Sequence, residues 1–112
     1  MKSINMEAIK SEIINRLEPL GLNKVILFGS YAYGTPHKNS DIDLYVVTND
    51  EFTPQNYKEK RALVWKVSQT ILDIRKKYAI DLLVHTKEMH QKFVELQSSF
   101  ATEILERGKV LL

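Results

Sequence analysis

The stretch that decides the fold runs Lys24-Val25-Ile26-Leu27-Phe28-Gly29-Ser30. After ten intervening residues it resumes as Asp41-Ile42-Asp43-Leu44-Tyr45-Val46-Val47-Thr48. Four consecutive apolar residues halted by a glycine predict a buried strand over Lys24 to Gly29. Asp41 to Thr48 reads as a second strand, ended by the turn cluster Thr48-Asn49-Asp50. Side chains alternate along a strand, so Asp41 and Asp43 point the same way, with Cα atoms roughly 7 Å apart. Ile42 and Leu44 take the opposite face and anchor the strand in a core. Two carboxylates placed this way on a rigid element can share magnesium ions about 3.5–4 Å apart.

A third acid lies downstream. Ala79-Ile80-Asp81-Leu82-Leu83-Val84-His85 is an apolar strand with one carboxylate inside it. An acid there costs free energy unless it is paired, hydrogen-bonded or metal-bound. If this strand lies beside Asp41–Thr48, Asp81 completes a three-carboxylate cluster. Such a cluster repels itself when empty, and a divalent cation relieves the repulsion. Taken alone, Asp-x-Asp at a strand start is commonly turn chemistry, and a lone strand acid is commonly salt-bridged. The conjunction with Gly29-Ser30 is what argues for a site. Glycine lets backbone approach a ligand without a Cβ in the way. Ser30, if it opens a helical turn, presents backbone N–H groups and a hydroxyl to an anion. The plainer reading of Gly29-Ser30 is a helix N-cap in a tight turn.

Working outward, Met6, Ile9, Ile13 and Leu17 fall at helical spacing and predict a helix over about Asn5 to Glu18, with Asn5 as N-cap and Pro19 and Gly21 as its stop. Ser30 to Gly34 can form a helical turn, and Thr35 to Ser40 is a loop. A long helix is predicted from about Pro54 to Tyr78, with Tyr57, Val64, Val67, Ile71, Ile74 and Tyr78 on one stripe. Thr86 caps a helix running to about Leu96. Ser98 or Ser99 caps a last helix that Gly108 closes, and Val110 to Leu112 can add an edge strand. This order predicts an α/β (α+β) domain spanning 1–112, a small mixed β-sheet flanked by helices.

Composition narrows the classes. With 112 residues, 44% of them hydrophobic, one core is affordable and wholesale disorder is not expected. The absence of cysteine excludes disulfides, thiolate metal sites and cysteine nucleophiles, and fits the cytoplasm. No apolar run approaches the roughly 20 residues of a membrane span, and Lys2, Glu7, Lys10 and Glu12 rule out a signal peptide at the N-terminus. A net charge of +2 is too mild to indicate a nucleic-acid binder.

The run Leu27-Phe28-Gly29-Ser30-Tyr31-Ala32-Tyr33-Gly34, followed by Asn39-Ser40-Asp41-Ile42-Asp43-Leu44, resembles the signature of the polymerase-beta-like nucleotidyltransferases. Within them the chain is similar to the minimal nucleotidyltransferase (MNT) branch, over nearly its whole length. The resemblance implies a shortened nucleotidyltransferase core in which Gly29 and Ser30 hold the triphosphate of ATP. Asp41, Asp43 and Asp81 would be catalytic and would bind two Mg2+ ions, with Asp81 also helping to activate the attacking hydroxyl. It further implies a HEPN-type protein partner. MNT proteins act as antitoxins in toxin–antitoxin pairs and can transfer AMP to a tyrosine of the HEPN ribonuclease. Many relatives carry arginine just before the second glycine, where this chain has Tyr33. The cation lost there must come from elsewhere, such as His37, Lys38 or the long helix.

Two other readings compete: an antitoxin that neutralises by complex formation without turnover, and a small-molecule transferase of the aminoglycoside-modifying type. The latter usually needs a further helical domain to shape its acceptor pocket, and only about thirty residues follow Asp81. A protein acceptor, or a homo-oligomer that completes the site, fits better. Between Tyr57 and Lys77, seven basic residues (Lys58, Lys60, Arg61, Lys66, Arg75, Lys76 and Lys77) face only Glu59 and Asp73. That pattern suits a solvated helix face or a surface for phosphate or an acidic partner. Trp65 lies off the predicted stripe. His85 and His90 lack the spacing of metal ligands.

Overall fold

A computed structural model describes residues 5–36 and 40–112. Helix α1 (Met6–Leu17) begins where the Asn5 side chain accepts the Ala8 N–H at 3.2 Å, and a 3-10 turn (Glu18–Leu20) follows it. Then come β1 (Lys24–Phe28), the short α2 (Ser30–Tyr33) and β2 (Ile42–Val47). Helix α3 (Tyr57–Ser68), a 3-10 turn (Gln69–Ile71) and α4 (Leu72–Arg75) lead to β3 (Ile80–His85). Helix α5 (Lys87–Leu96), α6 (Ser99–Thr102), a π-helical turn (Glu103–Arg107) and β4 (Lys109–Val110) complete the order.

Among the described residues the sheet has four strands in the order β3-β2-β1-β4. β1 is antiparallel to β2 and β4, and β2 is parallel to β3. A parallel pair requires a crossover connection, which α3 and α4 supply. Alternation then divides the sheet's apolar residues. Val25, Leu27, Ile42, Leu44, Val46, Ile80 and Val84 pack with Ile9, Ile13 and Leu17 of α1 and with Leu63, Val67, Ile71 and Ile74. The other face gathers Ile26, Phe28, Tyr45 and Val47 against Ile104, with Leu83 and Phe93 beside them. Phe100 closes this second layer by edge contacts to Phe28 and Phe93 at 5.8 and 6.1 Å.

The long helix differs from its expected form. It starts at Tyr57, where Asn56 caps the Glu59 N–H at 2.9 Å, and it breaks at Gln69–Ile71. Val67, Ile71 and Ile74 are buried as the stripe requires, but Tyr57 is 74% exposed and Leu63 takes a core position. Tyr57 stands in the first turn, ahead of the part of the helix that crosses the sheet. The caps at Thr86 and Ser98 form as read, accepting the Met89 and Ala101 N–H groups at 3.2 and 3.1 Å. The edge strand falls at Lys109–Val110 because Gly108 lies hard against β1, where a Cβ would collide with Ile104 and Ile26. Among the described residues no helix is long and apolar enough to cross a membrane.

Candidate active site

Three strand ends and one turn meet at the edge of the second layer. β1 delivers Phe28 opposite Asp43, and Gly29 follows with φ +77° and ψ −164°. That conformation belongs essentially to glycine alone. The missing side chain matters as much as the backbone angle. A Cβ on Gly29 would overlap Asp43 Oδ2 and lie 3.1 Å from its Cγ. The carboxylate therefore occupies space that any other residue at position 29 would fill. From Ser30 the chain turns at once into α2, with the Ala32 and Tyr33 N–H groups bonded to Gly29 O at 3.0 and 3.1 Å. The amides of Ser30 and Tyr31 open that turn and have no intrahelical acceptor, as at any helix start.

The parallel register places Asp43 directly beside Asp81. Asp41 lies one residue ahead of β2, exposed, while Ile42 begins the ladder by donating to Ala79 O at 2.9 Å. Burial, followed by the charges of Asp81, Asp41 and Glu103, pushes the Asp43 carboxyl up to about 6. The expected acids are thus electrostatic neighbours. Among the described residues, however, no group of three or more His, Asp or Glu side chains is gathered at metal-holding distance. The structure brings Asp43 and Asp81 side by side and does not preform the full three-carboxylate cage. The donor set still fits magnesium, since it offers hard carboxylate oxygens alone. Its crowding of like charge is what a divalent cation relieves.

Two residues that the sequence did not single out border the site. Glu103 acts on both Asp43 and Tyr33, and the Arg107 guanidinium carbon stands 3.9 Å from the Tyr33 ring centroid. Both come from the π-helical turn, about sixty residues beyond the acids of β2. The Tyr33 hydroxyl is buried and meets no partner at hydrogen-bond geometry among the described residues. Its acidity is weakened chiefly by that burial, although the Gly29 N–H is close enough to oppose the effect. His37 and Lys38, considered above as substitute cations, lie outside the described residues.

Residues 9–112 match the family of polymerase beta nucleotidyltransferases. The chain belongs to that family. A Methanocaldococcus jannaschii protein named "Putative protein adenylyltransferase" is 31% identical over 113 residues, spanning 96% of this chain and 99% of its own length. A chain in the crystal structure of a toxin–antitoxin complex with AMP-PNP superposes with a TM-score of 0.59 at 26% identity, covering 92% of this chain and 72% of that one. A second, from the complex of tri-AMPylated Shewanella oneidensis HEPN toxin with MNT antitoxin, gives a TM-score of 0.50 at 22% identity, over 95% and 71%. At that identity the likeness is one of fold. Family membership fits the geometry above, and nucleotidyl transfer is the activity of this chain.

Features away from the site have other roles. The Tyr45 hydroxyl is shared between His85 Nδ1 at 2.9 Å and His90 Nδ1 at 2.8 Å, beneath α5. Burial, with His90 and Lys60 nearby, pushes His85 down to about 4, so it is neutral at physiological pH. The basic residues from Lys58 to Lys77 are exposed. Four of them line a groove of about 910 Å³ along α3, with Tyr57 and Trp65.

Proposed function

We propose that the chain is a magnesium-dependent protein adenylyltransferase that moves AMP from ATP to a tyrosine of a HEPN-type partner, as the antitoxin of a cytoplasmic toxin–antitoxin pair. One observation carries the reading: Asp43 and Asp81 stand side by side on parallel strands, against a glycine whose missing side chain makes room for the Asp43 carboxylate. Gly29 and Ser30 would hold the phosphates through backbone N–H groups and the Ser30 hydroxyl. Asp41, Asp43 and Asp81 would hold two magnesium ions. When bound there, the metal supplies charge neutralisation at the α-phosphate and on the departing pyrophosphate.

The remaining work falls to the chain's own residues. Asp81 is exposed on β3, where it can orient an incoming hydroxyl and accept its proton. The hydroxyl oxygen bonds to the α-phosphorus as the bond to pyrophosphate breaks. Positioning and fixed charge dominate such transfers. The adenylyl group is supported by the name of the M. jannaschii relative, and the antitoxin setting by the AMP-PNP complex. The HEPN tyrosine follows from the resemblance of the motif to MNT proteins.

The experiment incubates the chain with a HEPN partner, magnesium and ATP, and reads the partner by mass spectrometry. We expect an added AMP on a tyrosine that Asp41→Asn abolishes. A partner that is silenced yet unmodified would replace this reading with neutralisation by complex formation.

A further inference from the structure

We propose that Arg107, held against the Tyr33 ring, is the cation that receives the polyphosphate of the nucleotide. The inference rests on the nucleotide-binding reading above and names a residue which that reading leaves out. The acids of the site, Asp41, Asp43 and Asp81 with Glu103 beside them, present negative charge to a ligand that is itself a polyanion. Bound metal offsets part of that repulsion, and a fixed guanidinium would offset more. The turn from Ser30 to Gly34 contains no basic side chain. Arg107 reaches this turn from the far end of the chain.

Three features of its placement support the role. Stacking on an aromatic face fixes a guanidinium through its plane and leaves its N–H edge available, a geometry suited to phosphate oxygens. Arg107 stays exposed while stacked, and among the described residues it forms no ion pair with a carboxylate. Its charge is therefore not spent on Glu103 or Glu106. The turn that carries it is π-helical, a local widening often found at functional sites. It sets Glu103 and Arg107 four residues apart, and both act on Tyr33. Tyr33 is in turn tied to the phosphate turn by its own N–H bond to Gly29 O. Tyr33 is then a positioning residue, and Arg107 is the group that touches the ligand.

Calorimetry with magnesium present and the probes ATP, inorganic tripolyphosphate and AMP tests this on the intact chain. A charged hydrogen bond to phosphate corresponds to a factor of about ten to a hundred in affinity. Arg107→Ala should weaken ATP and tripolyphosphate by that factor and AMP by less than about threefold. In steady state the loss should fall on the KM for ATP more than on kcat. Tyr33→Phe, which keeps the ring, should bind ATP like the native chain, whereas Tyr33→Leu should share the Arg107→Ala defect. The double variant Tyr33→Arg with Arg107→Ala should recover ATP affinity. Arg61→Ala on α3, which removes an equal charge stacked on Tyr57, should change nothing. Native ATP affinity in Arg107→Ala, or an equal loss for ATP and AMP, would overturn the inference and leave the nucleotidyltransferase reading intact. Failure of the native chain to bind ATP with magnesium would overturn both.

Discussion

Replacing Gly29 with alanine has two separable consequences, one for stability and one for chemistry. The backbone at this position sits at φ +77° and ψ −164°. Holding a residue with a Cβ there costs about 1–3 kcal/mol. In a domain of this size each kcal/mol moves the melting temperature by roughly 4–8 °C, so a fall of about 5–20 °C is expected. The new methyl group would also overlap Asp43 Oδ2 and lie 3.4 Å from Asp43 Cβ. The carboxylate is the free end of a side chain and can rotate away for about 1 kcal/mol. That movement relieves the clash at the expense of the site. A displacement of about 1 Å at a reacting centre can cost a hundredfold in rate. Gly34→Ala is the control: φ there is also +77°, but nothing lies within 4 Å of the added Cβ. It should lose stability through backbone strain and keep native AMP transfer. The assay pairs thermal melts with transfer rates for both variants. The reasoning is refuted if Gly29→Ala transfers AMP at the native rate, or if it melts with the native protein.

Asp43→Asn should stabilise the metal-free fold while abolishing transfer. The folded pKa is raised from 3.8 to about 6, so the charged form penalises folding above that pH, and the penalty is relieved as pH falls from 6 toward 3.8. The raw shift corresponds to about 3 kcal/mol, which solvent screening of this half-exposed group reduces to about 1 kcal/mol at pH 8; a lower melting temperature for Asp43→Asn in chelator at that pH would contradict the argument. His85 has the opposite sign, because a folded pKa depressed to about 4 gives stability that is present above pH 6.5 and lost as pH falls through 4. After discount for its partial exposure, urea midpoints should report a loss of about 1–2 kcal/mol on that acid limb, and the limb should flatten in His85→Gln; an unchanged limb would assign it to other groups. Tyr45→Phe removes the hydroxyl that His85 and His90 share and should cost about 1–3 kcal/mol by denaturant titration; a neutral substitution would show that the two rings find other partners.

What was legible in the sequence was legible for local reasons. Alternation along a strand is a rule about neighbours, so Asp41 and Asp43 could be assigned a common face, with Ile42 and Leu44 on the other, before any pairing was known, whereas Asp81 joins them only through the pairing of β3 with β2. Glycine after a buried strand, and Ser, Thr or Asn ahead of a helical stripe, act within three residues and were equally readable. The long helix departs from its local pattern at both the first turn and the middle. Tyr57 fits the periodic stripe but stands in the first turn of α3, ahead of the sheet, and periodicity does not say where a neighbouring layer ends. The break at Gln69–Ile71 has no glycine or proline to announce it.

Glu103 and Arg107 were illegible for a different reason. Each reads as an ordinary surface charge near a helix C-terminus, and nothing within several residues of either points to the phosphate turn. Their position follows from which face of the sheet the last helices cover. Asp43 shares its face with Tyr45 and Val47, while Leu44 and Val46 belong to the layer under α1 and α3. The layer that buries Tyr45 is built on Ile104 and Phe93, so the segment carrying Ile104 must pass the end of β2. Ile104 has zero exposure, and its neighbours Glu103 and Arg107 are thereby carried to Asp43 and Tyr33. A substitution that loosens Ile104 should therefore weaken nucleotide binding without touching an acid of the strands, since the same packing that completes the second core also sets the charged wall of the site.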